Sequence, residues 1–511
     1  MAHRRRGHPC PAARRPLSRE HRRGDHLGRH GRDRALHAAG HVPRPSGRPP
    51  ATRAEGRLVG APAPRRLLRH GTIVTPESDP VDPIDQALAG LSGPAGLRLI
   101  ATGDTPDDST PWLAGATAEE ARAWGGEAAQ RSSAAPSPAV DLTRAEPALL
   151  PVALEGVLDQ GYDGDVVVTA PTTAAPLLER AHAVSRAVRL TRRIVDARAN
   201  QCPPPRFAEV AEALARTHGL GYRLSGPDRL RDLGMGGILA IGTGSTEPAL
   251  MVELWSTPGR TPGDTPAPGS VALIGKGVTF DSGGLSLKPP AAQVGMHTDK
   301  AGAATVLGAL SALAALDVPV PVHAVLPVVE NLPGPGAVRP GDVVTTRNGL
   351  GVEIVDTDFE GRVIMADALA WAAEHRPRAV LDIATLTYQA TIALGPSIGA
   401  LIARDRALGA QVLAAAERSG EPLWGLPWAP RYADQVRSSA PGATVRNHPG
   451  TDTGRALTAA LFLGAFVPED LPWVHLDVAG PAVSGSGADA RATGFGVRTL
   501  VELLRTWEPA R

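Results

Sequence analysis

Apolar and polar positions along this chain follow two periods. Short runs such as Leu97 to Thr102 (LRLIAT) and Asp165 to Ala170 (DVVVTA) have the length and branched content of strands. Ala174 to Ala199 instead keeps an apolar face at helical spacing. The Ser/Ala/Pro-rich run from Ser132 to Val140 predicts a loop or linker. Asn200-Gln201-Cys202-Pro203-Pro204-Pro205 breaks the helix, because proline lacks a donor and restrains its neighbour, and it predicts a hinge or domain boundary. Strands are then expected at Leu250 to Leu254, Val271 to Ile274, Val320 to Val329, Val352 to Val355, Ala379 to Ile383 and Trp473 to Val478. Helices are expected over Ala301 to Leu316, Gly361 to Glu374, Arg455 to Phe466 and after Thr493. Such alternation predicts an α/β protein: a smaller N-terminal α/β domain over 71–190, then a larger domain over 191–511 whose mixed, largely parallel sheet is covered by helices. Sites in open α/β sheets lie at the carboxyl ends of the strands.

Residues 1–70 break this pattern. They hold 18 arginines against Glu20, Asp25, Asp33 and Glu55 and contain no aromatic residue, so they cannot bury enough surface to offset ordering. They read as a disordered basic segment or as upstream sequence translated from a misassigned start; a nucleic-acid-binding arm is the weaker reading, since stacking residues are absent. The whole chain, 511 residues with 42% hydrophobic and 21% charged positions, is globular in composition. It has no run of about 18 apolar residues to span a bilayer. Two distant cysteines, Cys10 and Cys202, give neither a disulfide framework nor a Cys-x-x-Cys pair. With no apolar secretory segment, a cytoplasmic location is expected.

Of 53 basic residues only Lys276, Lys288 and Lys300 are lysines, and they fall within 25 consecutive positions. A coding bias toward arginine thins lysines evenly, so the cluster marks places where guanidinium does not serve. Lysine can give up its proton when buried near cations, which points to a metal or proton-transfer site. Two segments supply partners. VALIGKGVTFDSGGLSLKPP followed by MHTDKAGAA carries Lys276, Asp281, Lys288 and Asp299; DTDFEGR carries Asp356, Asp358, Glu360 and Arg362. Hard carboxylate oxygens at strand ends suit a pair of divalent cations about 3.5–4 Å apart. An acidic loop with helix-capping residues is the plainer account of DTDFEGR alone; the lysine cluster outweighs it. GKG at Gly275 to Gly277 fails as a phosphate loop, because Gly269 is one residue too distant and Gly277 stands where Ser or Thr is required. Gly-x-Ser-x-Gly and His-Glu-x-x-His are absent, against a serine hydrolase or a single-zinc protease. His297, His323, His448 and His475 read as surface or satisfied core residues, and Gly454-Arg455-Ala456 as the opening of a helix near the site.

From about Asp196 to Leu504 the chain resembles the leucyl aminopeptidases, di-metal exopeptidases. Lys276, Asp281, Lys288, Asp299, Asp358, Glu360 and Arg362 fill that family's lysine, aspartate, lysine, aspartate and Asp-x-Glu-x-Arg places. RPGDVV from Arg339, ADAL from Ala366, ATLT from Ala384 and TGFGVR from Thr493 also match. The resemblance implies that residues 191–511 are a catalytic domain removing N-terminal residues from peptides through a hydroxide bridging two metals, Mn2+ or Zn2+, in each subunit. It implies Asp281 and Glu360 as bridging ligands, Asp299 and Lys276 at one metal and Asp358 at the other. Lys288 would polarise the scissile carbonyl, and Arg362 would hold a bicarbonate acting as base. Met296, Thr385 and Tyr388 would line the substrate pocket, with hydrophobic packing as the equal alternative for Met296, and the assembly would be a homohexamer. Four positions depart from the family pattern: Lys300 and Ala301 replace Met and Gly, Phe359 replaces Ala, and Tyr388 replaces Gly. Neighbouring side chains on extended backbone point oppositely, which turns Lys300 to solvent, with contact to the metal site as the alternative. The runner-up function is a weakly active relative that acts mainly by binding DNA through its basic N-terminus.

Overall fold

The computed structural model describes residues 82, 84–87, 97–102, 116–131, 139–142, 146, 148–159, 166–171, 174–259, 263, 265–485 and 487–508. The basic stretch 1–70, with the disorder and nucleic-acid readings attached to it, lies outside them. Strands β1 (Leu97–Thr102), β2 (Ala139–Asp141) and β3 (Val166–Pro171) pair in parallel in the order β1-β3-β2. Strand β2 replaces loop at the end of the Ser132 to Val140 run. The helices Ala118–Arg131 and Leu150–Leu158 are an addition to the sequence reading. They touch backbone to backbone: a Cβ at Gly125 would stand 1.9 Å from the Ala153 carbonyl oxygen, and one at Gly156 2.0 Å from that of Arg122. The glycines that lower helix propensity are the ones this crossing requires.

The large sheet contains β4 (Gly221–Ser225), β5 (Leu250–Trp255), β6 (Val271–Gly275), β7 (Gly277–Asp281) and β8 (Val322–Asn331). After β9 (Val343–Thr345) and β10 (Gly351–Glu353) it continues with β11 (Ala379–Ala384), β12 (Gly399–Ala403) and β13 (Leu423–Leu426). Beyond β14 (Val445–Arg446) comes β15 (Trp473–Asp477). The order is β13-β12-β15-β11-β6-β8-β5-β4, with β7 also on β8. Five of the eight pairings are parallel and three antiparallel, a mixed, largely parallel sheet. Strands β5, β6, β8, β11 and β15 are buried throughout, because helices cover both faces. On one face Leu273, Leu381 and Leu476 pack with the helices Pro204–His218, Ala301–Ala315 and Val497–Arg505. On the other Ile274, Val380 and Trp473 pack with Glu360–Glu374 and Arg455–Gly464. Burying a Leu-sized side chain contributes roughly 1.5–3 kcal/mol, so these faces dominate the stability.

The expected helix of Ala174 to Ala199 runs Ala175–Asp196 and ends seven residues before Pro203, so the prolines are not what stops it. The break is short: Pro203 is extended, and Pro204 opens the next helix, a position where its missing N–H costs nothing. At the far end of the chain, Arg498 of the TGFGVR motif is buried among carboxylates. Its Nε donates to Glu155 at 2.9 Å, one NH1 lies 3.4 Å from Glu421, and it also bonds Asp159. This ties the Leu150–Leu158 helix to the C-terminal one. Removing one partner of a buried ion cluster costs about 3–5 kcal/mol. Arg498→Ala is therefore expected to lower unfolding free energy by that order in a denaturant titration, more than Arg505→Ala, whose side chain is more exposed.

Candidate active site

The parallel strands bring several chain crossings to one end of the sheet. Strands β6 and β7 both run along β8, interrupted only at Lys276. Asp281 ends β7, and Thr385 follows the end of β11. Asp299 sits in the tight helical turn Met296–Lys300 leading into the Ala301–Ala315 helix. Asp358 and Glu360 flank Phe359, the residue that caps the Glu360–Glu374 helix. Ten residues singled out by sequence, Lys276, Asp281, Lys288, Met296, Asp299, Asp358, Glu360, Arg362, Thr385 and Tyr388, line one cavity of about 380 Å³, while Asp356 and Lys300 do not.

Within it, Lys276 Nζ lies 2.7 Å from Asp299 Oδ2 and 2.8 Å from Glu360 Oε1, and donates to the Thr385 carbonyl at 3.1 Å. Gly361 makes this possible, since a Cβ there would fall 2.5 Å from Lys276 Cε. Lys288 Nζ donates to Asp281 Oδ2 at 2.6 Å and to Asp358. Asp281 Oδ1 accepts from Asn331 Nδ2 at 2.9 Å and from the Gly283 N–H at 2.9 Å. Thr385 Oγ1 donates to Asp299 Oδ1 at 2.7 Å.

Lys276, Asp281, Asp299 and Glu360 are buried. Four carboxylates thus face two ammonium groups, and burial pushes the Asp299 carboxyl up to about 7; Lys276 opposes the rise while Glu360 and Asp281 add to it. Burial pulls the Lys276 pKa down, but Asp299, Glu360 and Asp281 more than offset it and leave it raised. One oxygen each from Asp281, Asp358 and Glu360 lies within 4.8 Å of the others. Such a set could hold a hard divalent cation.

Arg362 is fully enclosed. Its NH1 donates to the Asn447 carbonyl at 2.8 Å, its guanidinium carbon stands 4.8 Å from the centre of the Phe359 ring, and its Nε bonds nothing. Burial lowers its pKa to about 10. Tyr388 opens the helix Tyr388–Leu394 and is 71% exposed at the cavity rim. Thr387 caps that helix and donates to Asp477 Oδ2 at 2.6 Å.

Lys300 meets neither expectation. It is 0% exposed and turned away from the cavity, donating to the carbonyls of His297 at 2.6 Å, Ala197 at 2.8 Å and Val195 at 3.3 Å. The backbone at 296–300 is helical rather than extended, so adjacent side chains do not simply oppose each other, and the ammonium serves the end of the Ala175–Asp196 helix. Sequence reasoning also missed Asn331 and Asn447. Asn447 accepts from the Val355 N–H at 2.8 Å and donates to the Asp356 carbonyl at 2.6 Å, fixing the DTDFEGR turn. No spacing signature marks a lone amide.

The catalytic-domain model of the cytosol aminopeptidase family matches residues 189–501. A "Probable cytosol aminopeptidase" of Roseiflexus castenholzii is 44% identical over 349 residues, 67% of this chain and 69% of the relative. That of Syntrophotalea carbinolica is 42% identical over 333 residues, 65% of each. The matches thus span about two thirds of these relatives. Among solved structures, the bottromycin maturation enzyme BotP aligns with a TM-score of 0.70 at 35% identity, covering 81% of this chain and 99% of that one. It has also been solved in complex with Mn. The chain belongs to the cytosol aminopeptidase family, a family of hydrolytic exopeptidases.

Proposed function

We propose that this protein is a metal-dependent aminopeptidase that hydrolyses the first peptide bond of its substrates, with residues 191–511 as the catalytic domain and 71–190 as a smaller N-terminal one. The observation that carries the reading is the convergence of four carboxylates on only two ammonium groups in one cavity. Clustered hard oxygens, one each from Asp281, Asp358 and Glu360 within 4.8 Å of the others, fit divalent cations. Asp281, Asp299, Asp358, Glu360 and Lys276 would hold two of them, and the Mn complex of BotP is consistent with that chemistry. Two cations there supply Lewis acidity and lower the pKa of a water molecule.

The chain's own groups do the rest. Lys288, now paired with Asp281 and Asp358, presents an ammonium to the oxygen of the scissile carbonyl as negative charge develops on it. Arg362 offers an unbonded, buried Nε, a fit for a small planar anion such as bicarbonate, which would supply a base. Met296, Thr385 and Tyr388 form the wall that meets the substrate's first side chain.

Three outcomes are expected. Adding Mn2+ or Zn2+ to chelator-treated protein raises its melting temperature, and the rise disappears in Asp281→Asn with Glu360→Gln; an unchanged melt removes the metal site. Lys288→Ala lowers kcat on leucyl-arylamide by about 10²–10³, the usual cost of one oxyanion donor, while metal content by elemental analysis stays near wild type. A panel of aminoacyl-arylamides shows a preference other than simple leucine, and Tyr388→Gly shifts it toward bulkier first residues; an ordinary leucine profile in both proteins contradicts the role of Tyr388.

A further inference from the structure

The reading above leaves one charged group on the cavity wall without a task. Arg455, the first residue of the helix Arg455–Gly464, lines the same cavity. Its guanidinium carbon stands 5.3 Å from the centre of the Phe359 ring, which also carries Arg362. Its Nε donates to the Thr451 carbonyl at 2.9 Å. Its NH2 lies 3.1 Å from His448 Nε2 and bonds Asp452. The NH1 donates to nothing among the described residues.

The nominal counter-charge is weak. Asp452 is 92% exposed, so its pairing with Arg455 is solvated and screened by salt. His448 adds no negative charge, and its pKa is lowered first by burial and then by Arg455 and Arg362, with Asp356 and Asp452 opposing. The guanidinium is thus clamped by a ring, a backbone carbonyl, an imidazole and the exposed Asp452, with one nitrogen uncommitted. A planar, pre-positioned guanidinium with a spare N–H edge is matched by a carboxylate.

We propose that Arg455 binds a carboxylate of the peptide substrate, so that the enzyme favours peptides with a carboxylate near the bond cleaved. This rests on the aminopeptidase reading and adds a substrate class to it. The carboxylate has three possible sources: the side chain of the first residue, that of the second, or the free C-terminus of a dipeptide.

The test compares acid and amide partners on the full-length, Mn2+-loaded protein. The pairs are Glu-Ala-NH2 against Gln-Ala-NH2, Leu-Glu-NH2 against Leu-Gln-NH2, and Leu-Ala against Leu-Ala-NH2. In wild type, at least one acid is expected to exceed its partner in kcat/KM by about tenfold, the order for a hydrogen bond to a charged group. The advantage sits in KM and shrinks as salt is raised. The pair that shows it identifies the source. In Arg455→Gln the ratio falls toward one, and in Arg455→Glu it inverts.

Ratios near one for all three wild-type pairs overturn the proposal without any variant having to fold. A ratio that survives Arg455→Gln overturns it equally, because a merely structural loss lowers both members of a pair together. Failure of every peptide, amides included, sinks the aminopeptidase reading and this one with it. Turnover of the amides without discrimination sinks only the role of Arg455.

Discussion

Four acidic side chains held against two lysines crowd their like charges into one cleft. Carboxylate oxygens of Asp281, Asp358 and Glu360 lie within 4.8 Å of one another, and the crowding reaches Asp299, whose carboxyl is raised to about 7 by its burial. Repulsion between like charges at this range falls when a cation or a proton intervenes. The sheet is what makes the crowding possible. Because β6, β7, β8 and β11 run in parallel, their carboxyl ends open on the same side, and the turns that follow each can each contribute a side chain. Antiparallel neighbours would send alternate turns to the opposite edge.

The three lysines show how a compositional signal carries chemistry without carrying function. Each sits where a compact ammonium fits and a planar guanidinium does not. Lys276 is wedged under Gly361 between two carboxylates. Lys288 bridges Asp281 and Asp358. Lys300 points its three donors at three backbone carbonyls. Scarcity of lysine in an arginine-rich chain therefore marked tight cation sites, two of them buried and that of Lys288 partly so. Two of them belong to the cleft; the third holds together the helix end beside it.

What was legible in the sequence follows burial. Strands β5, β6, β8, β11 and β15 are covered on both faces, read as continuous apolar runs, and were placed to within about two residues. Strands β4 and β13, GYRLS and LWGL, lie at the ends of the sheet with part of their surface in water, and carry no such run. The helix Pro204–His218 was hidden by the prolines that begin it. In the cleft, residues with a distinctive charge and spacing were visible. Asn331 and Asn447, which fix Asp281 and the DTDFEGR turn by amide hydrogen bonds, were not. Lys300 was misread because its environment depends on the local backbone and on a helix some hundred residues away.

Phe359 shows why such a cleft tolerates change so near its acidic groups. It is flanked on both sides in sequence by carboxylates that line the cavity, yet its ring packs against Arg362, Arg455 and His448, the last at 4.5 Å between ring centres. The turn entering the Glu360–Glu374 helix thus sends Asp358 and Glu360 toward Lys288 and Lys276 while the ring between them braces the arginines. A larger side chain at 359 can reshape the wall and fix the orientation of two guanidinium groups without moving an acidic oxygen. Tyr388 achieves a similar separation at the rim, where it opens a helix anchored through Thr387 and Asp477 rather than through any of the four carboxylates. The side chains that shape the wall and those that carry the acidic oxygens are thereby neighbours on shared turns, and a change in one leaves the geometry of the other standing.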